Sequence, residues 1–170
     1  MSSSPITPPI ADQFSRLTAS LSVEADIAAE LLTLLREEPI VLVSRDHQAI
    51  LALCQRKQDL AEQLVQSEVA RRRCLEGSRL PVDLPLLERA LKTAGAEEAA
   101  SACQNLKQIA GACAEYNRSN GILVESRLRH VRQALEIVTG RTAEAESYAP
   151  TYGQRNRIIQ YSSGRSWAKA

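Results

Sequence analysis

Apolar residues recur every three or four positions from Phe14 onward, and that spacing predicts helices over most of the chain. The first stripe reads Phe14, Leu17, Leu21, Ala28, Leu31 and Leu35, with Glu24 as a polar interruption. A helix should therefore begin near Ile10 to Asp12. Pro39 is expected to end it or bend it sharply, because proline lacks an N–H and its ring crowds the preceding turn. Residues 40–43 form a short, mostly β-branched run without an obvious strand partner.

Ser44 or Asp46 is placed to cap a second helix, since a short polar side chain there can accept hydrogen bonds from the first turn's N–H groups. Its stripe is Ile50, Leu53, Leu60 and Leu64, then Val69 or Cys74, with Lys57 at the seam between Leu53 and Leu60. Gly77 should stop it. Arg71, Arg72 and Arg73 near its end read as favourable charge at a helix C-terminus. Residues 78–82 form a turn. Asp83 then caps a short helix with Pro85 in its first turn and Leu84, Leu87 and Leu91 on one side, and Gly95 ends it.

The longest helix should span residues 97–139. Its seam reads Ala99, Ala102, Leu106, Ile109, Cys113, Tyr116, Asn120, Leu123, Leu128, Val131, Leu135 and Val138. Most steps alternate three and four, as in a coiled coil. At ~1.5 Å per residue the helix would be about 60 Å long, so it can cover both earlier helices only if those fold back on each other. Asn120 within the seam suggests a register device, because a buried amide must find a partner. Gly111 and Gly121 either weaken the helix locally or admit another backbone.

The predicted fold is all-α: an elongated antiparallel bundle of three long helices plus one short helix, with a flexible C-terminal tail. Its boundaries are a disordered N-terminus over residues 1–9, a helical bundle over 10–140 and a tail over 141–170. The tail contains Pro150, Gly153 and Gly164, yet also Tyr152, Ile158, Ile159, Tyr161 and Trp167. Large apolar residues in a polar segment suit folding coupled to binding.

Composition narrows the chemistry. Hydrophobic residues make up 44% of the chain and aromatics only 4%, so the core is aliphatic and suits helices. Basic residues number 21 and acidic ones 20, which leaves no broad field for nucleic acid or membrane. The charge is uneven: residues 141–170 carry +3 and the preceding ones −2. The basic residues of the tail are too sparse for a nucleic-acid groove, and its glycines and serines interrupt any membrane-surface helix. Cys54, Cys74, Cys103 and Cys113 form no C-x-x-C pair and read as reduced and buried. No secretory signal and no ~20-residue apolar run is visible, so the expected compartment is the cytoplasm and no membrane insertion is expected. His47 and His130 read as solvated helix residues. No nucleophile, phosphate-loop or metal-ligand spacing occurs, so neither enzyme chemistry nor a cofactor or metal is expected.

One segment is more specific. Asn117, Asn120, Gly121, Leu123 and Glu125, followed by Gln133-Ala-Leu135-Glu136, resemble the L-N-x-x-N-G-x-L-x-E…Q-A-L-E pattern of the FlgN-like flagellar export chaperones. Tyr116 stands where that pattern has leucine. Tyr152-Gly153-Gln154 resembles the family's Y-G-x-x-G-Q element, shortened by two residues and without its second glycine. The run around Lys57, Leu60 and Leu64 also fits. The resemblance implies a small cytoplasmic helical chaperone that binds hook–filament junction proteins before secretion and delivers them to the flagellar type III export gate. It implies that Tyr152 docks on that gate and that the C-terminal region holds the client. Within that region Val131, Leu135, Val138, Ile158, Ile159 and Trp167 are the expected apolar contacts. The competing reading is a structural or adaptor coiled coil that binds another helical bundle. Either could form a homodimer through an open seam.

Overall fold

The structure is a computed structural model that describes residues 10–44 and 46–139. Both expected flanking segments, residues 1–9 and 141–170, lie outside those residues. The described chain forms four helices: α1 (Ile10–Ser44), α2 (His47–Leu75), α3 (Leu84–Thr93) and α4 (Glu97–Thr139). The all-α bundle read from the spacing is the one found.

Capping chemistry sets the boundaries. Asp46 accepts hydrogen bonds from the N–H groups of Gln48 and Ala49 at 2.9 and 3.1 Å, which starts α2. Asp83 does the same for α3 through Leu86. Gly95 has φ +72, and the bonds from Ala96 N–H to Leu91 and from Gly95 N–H to Lys92 complete a Schellman stop after α3. After α2, Gly77 takes φ +75 in a tight turn closed by Ser78 N–H on the Leu75 carbonyl.

Pro39 does not end the first helix. Residues 40–43, the β-branched run for which no strand partner was evident, are helical and α1 continues to Ser44.

Helix α1 packs against both α2 and α4, and α3 packs against α4. Two pairs fix α2 as antiparallel to α1: Glu24 meets Arg71, and Glu38 meets Lys57. Moving up α1 means moving down α2 by the same step. Against α4 the direction is parallel. Cys113 reaches the Ala28 carbonyl, Asn120 reaches Leu35, and Arg127 reaches Leu42, each pair 85 residues apart. A constant offset at steps of seven is a shared heptad register. The earlier pair is folded back on itself as anticipated, but α4 packs along α1 and α3 rather than covering both members of that pair.

The core is leucine and alanine: Leu17, Leu21, Ala28, Leu31 and Leu35 of α1 meet Leu60 and Leu64 of α2, Leu87 and Leu91 of α3, and Cys103, Leu106 and Cys113 of α4. Each fully buried leucine contributes roughly 1.5–3 kcal/mol from removing apolar surface from water. On α4 the buried face runs Cys103, Leu106, Ala110, Cys113, Asn120 and Val124. That is one position away from the expected seam on one flank, so Tyr116 is exposed and stacks instead under the Arg36 guanidinium, 5.5 Å from its ring centre. On α2 the stripe continues through Ser67, Arg71 and Leu75, and Val69 faces out.

The cysteines divide. Cys103 and Cys113 are buried, and burial pushes both thiols up to about 11, so they stay protonated. Cys54, expected to be buried, is exposed. All four are free thiols.

Charged residues inside the bundle are paired. Arg71 Nε donates to Glu24 Oε2 at 2.8 Å, and its Nη1 donates to the Val82 carbonyl at 3.0 Å. Both side chains are almost wholly buried, at 3% and 0% exposure. The polar break in the first stripe and one of the arginines ascribed to a helix end are thus partners. Around Glu88, Lys107 of α4 and Lys92 donate to the carboxylate and hold it below the usual carboxylate range. That contribution to stability is present at neutral pH and fades as pH falls through the lowered value.

Glu24→Ala should lower unfolding free energy by about 3–5 kcal/mol, because it leaves the Arg71 charge buried without its carboxylate. The double change Glu24→Leu with Arg71→Met should lose much less than the two single changes added together. Urea unfolding followed by circular dichroism measures both, and additive losses would contradict the pairing.

Candidate functional site

Proline at position 39 deprives the Leu35 carbonyl of its ordinary helical donor, which would be the N–H of residue 39. A buried carbonyl without a donor costs on the order of 1–3 kcal/mol. Asn120 of α4 supplies the missing bond. Its Nδ2 donates to the Leu35 carbonyl at 2.7 Å and to Glu38 Oε2 at 2.8 Å. Lys57 of α2 donates to both oxygens of the same carboxylate, at 2.9 and 3.0 Å. Three helices therefore meet at one polar layer, in which Asn120 and Glu38 are each 3% exposed. This is the register device anticipated at Asn120, and Lys57 in the second seam is part of it.

The layer explains some of the motif residues. Asn120 is its centre. Asn117 and Leu123 are half-buried on flanking turns of α4, and Glu125 is exposed. Gly121 is not required by close packing: a Cβ there, or at Gly111, would meet nothing within 4 Å. The suggestion that these glycines admit another backbone is not met by any described residue.

Beyond the polar layer the bundle thins. Leu53 and Val124 are the last buried apolar side chains on α2 and α4. Arg127 Nη1 donates to the Leu42 carbonyl, which gives the C-terminal turn of α1 a donor and places a cation at its negative end. The same offset sets Ser44, the end of α1, opposite Arg129. Helix α4 continues to Thr139, so its last ten or so residues, about 15 Å, project past their partner. The apolar stripe does not stop with α1. Leu128, Val131, Leu135 and Val138 keep the three-four-three spacing and are 40%, 63%, 62% and 83% exposed. Ile40, Val43, Leu51 and Ile122 are also exposed around this end. Most of the large exposed apolar residues therefore gather at one end of the bundle, where a scattered distribution would need no explanation.

Of the expected contact residues, Val131, Leu135 and Val138 lie together on one face of this projection. Tyr152, Ile158, Ile159 and Trp167 lie outside the described residues. His47 and His130 are exposed. Among the described residues no group of His, Cys, Asp and Glu could hold a metal ion, and no helix is long and apolar enough to cross a membrane.

The family model described as FlgN protein matches residues 11–156. The chain belongs to the FlgN family. FlgN proteins are flagellar export chaperones, and among the described residues no helix lies opposite the last part of α4. The match extends past α4 to include Tyr152. No curated protein and no solved structure matches the chain.

Asn120→Ala should destabilise this FlgN protein by about 2–3 kcal/mol, since both the Leu35 carbonyl and Glu38 lose a donor. In a Pro39→Ala background the alanine N–H can bond Leu35, and the cost of Asn120→Ala should fall by about 1 kcal/mol. A double-mutant cycle by chemical denaturation measures this coupling. Zero coupling would show that the amide does not compensate for the proline.

Proposed function

We propose that this chain is a cytoplasmic chaperone that binds hook–filament junction proteins, keeps them unassembled and delivers them to the flagellar type III export gate. The observation that carries this reading is the exposed stripe Leu128, Val131, Leu135 and Val138, which prolongs the α1–α4 seam beyond the end of α1 and has no helix opposite it among the described residues. An amphipathic helix of the client would continue α1 along that seam, burying its own apolar face against α4. Filament subunits assemble through such helices, and covering them prevents premature association.

The tail extends the same surface in this reading. Ile158, Ile159 and Trp167 add apolar contacts to Val131, Leu135 and Val138, while Tyr152 docks on the gate. Ordering a tail on binding lowers affinity per unit of area, which favours release at the gate.

Val131→Asp with Leu135→Asp should weaken binding of a junction protein at least about ten-fold, because each side chain contributes roughly 1.5–3 kcal/mol when fully buried. The melting temperature should change little, since both positions are exposed in the free chain. Isothermal titration with purified junction subunits measures the affinity. Truncation after Gly140 should weaken binding further, whereas Tyr152→Ala should spare client binding and reduce capture by the export gate. Undiminished binding by the double variant would refute the surface, and undiminished binding by the truncated chain would refute the role of the tail.

A further inference from the structure

We propose that the client brings two helices, and that the second lies in a lane beside α4 directly above α3, between α4 and α2. This rests on the reading of the α4 projection as the client surface and extends that surface down one flank of the bundle.

Two neighbouring rows of α4 face different partners. Cys113, Asn120 and Arg127 bond to α1 carbonyls, so their row faces α1. The row one position on lies about 100° round the helix and holds Ala100, Lys107, Ala114, Gly121, Leu128 and Leu135. Its lower end faces α3: Lys107 pairs with Glu88, and Ala100 is buried one turn from Cys103, whose thiol meets the Leu84 carbonyl. Helix α3 is only ten residues long and begins at Leu84. Beyond it the row opens. Ala114 and Gly121 are half-buried, and Leu128 and Leu135 are exposed.

Helix α2 shows the same change. Leu75 and Glu68 are buried, and Arg71 between them donates to the Val82 carbonyl just before α3. One heptad on, Ala61 is half-buried, and one more on, Cys54 is exposed. The helix registers bring the two open rows level. Leu42 meets Arg127, and the Glu24–Arg71 and Glu38–Lys57 pairs put Leu42 beside Leu53, next to Cys54. Leu51, one turn from Cys54 and 65% exposed, stands close to the level of Leu128. Helices α2 and α4 both pack on α1 rather than on each other. Among the described residues, the corner that α3 fills below is therefore open above. From Ala114 to Leu135 the lane is about 30 Å long, enough for a helix of roughly 20 residues.

Continuity with the α3–α4 contact makes a helix the fitting occupant. It would meet small residues at the lower end, Ala61, Ala114 and Gly121, and Leu51, Leu128 and Leu135 at the upper end. Its own large side chains therefore sit low, where a Cβ at Gly121 would meet nothing within 4 Å. A second copy offers no such helix, because the longest free apolar face on its described helices is the α4 tip, about 15 Å or half the lane. The sequence from 141 to 170 spaces Pro150, Gly153 and Gly164 against a continuous helix of that length.

The test uses the full chain with a purified junction subunit and reads two signals. Gly121→Gln puts a long polar side chain into the lane, and Leu51→Asp charges its rim. One position faces open space and the other solvent, so thermal melts by circular dichroism should match the parent. By isothermal titration each variant should bind roughly ten-fold more weakly, as loss of a leucine-sized contact would give. Alkylation of the exposed Cys54, followed by peptide mass spectrometry, should be largely lost in the complex. Parent-like affinity in both variants, or Cys54 that stays reactive in the complex, overturns the lane. If Val131→Asp with Leu135→Asp still loses binding, the one-helix surface stands. No binding by the parent chain overturns both readings. Cys54 already shielded in the free chain also overturns the proposal: exposure on truncation after Gly140 would make the tail the occupant, and exposure on dilution a second copy.

Discussion

One hydrogen bond ties the register of the molecule to its sequence: the Asn120 amide on the Leu35 carbonyl, at 2.7 Å. A proline inside a long helix normally costs a backbone bond and a clash. Here the exposed end of that lost bond is a specific address for a side chain on another helix. Hydrophobic packing alone would tolerate a slip of α4 along α1 by one heptad, since leucine and alanine recur on both. The polar layer does not tolerate it, because a slip would take the Asn120 amide away from the Leu35 carbonyl and the Glu38 carboxylate in a dry interior. The register in turn decides where α1 ends relative to α4, and hence how much of α4 is left bare.

Much of this was legible in the residues. Asp46, Asp83, Gly77 and Gly95 mark helix ends through local chemistry, which depends on a few neighbouring atoms and so survives in a linear reading. The length of α4 and the polar role of Asn120 were legible for the same reason. Pro39 was misread because its local effect is helix-breaking, and the compensating donor comes from a residue 82 positions beyond Glu38 and 85 beyond Leu35. Glu24 and Arg71 each looked ordinary alone, one as a break in a stripe and the other as end charge. Their pairing is a tertiary fact with no local signature. The phase of the α4 seam was ambiguous because alanine and isoleucine offer two neighbouring stripes. Packing chose the one with Ala110 and Val124, leaving Tyr116 to stack on Arg36. Of the proposed binding surface, the stripe from Leu128 to Val138 was visible as a seam, but that no described helix lies opposite it follows only from where α1 stops.

The two halves of the bundle thus do different work. Below the polar layer, buried leucines and satisfied ion pairs hold the helices in place. Above it, the same heptad pattern continues with fewer and fewer buried residues until no described helix lies beside α4. The proposed function uses both: a scaffold held by its own core, and a helix face whose burial is left for a client to complete. Placing the exposed stretch at the end of a helix held by the bundle would pre-orient it, which in the proposed function reduces the ordering cost of binding.

Amide hydrogen exchange along α4, with and without a bound junction protein, tests the central claim most directly. In the free chain, protection should be high through Asn120 and Val124 and fall steeply beyond Arg129, where no described helix lies opposite. Binding should raise protection from about Leu128 to Val138 while leaving the core unchanged. Strong protection of that stretch in the free chain, or no change there when a client binds, would contradict the account.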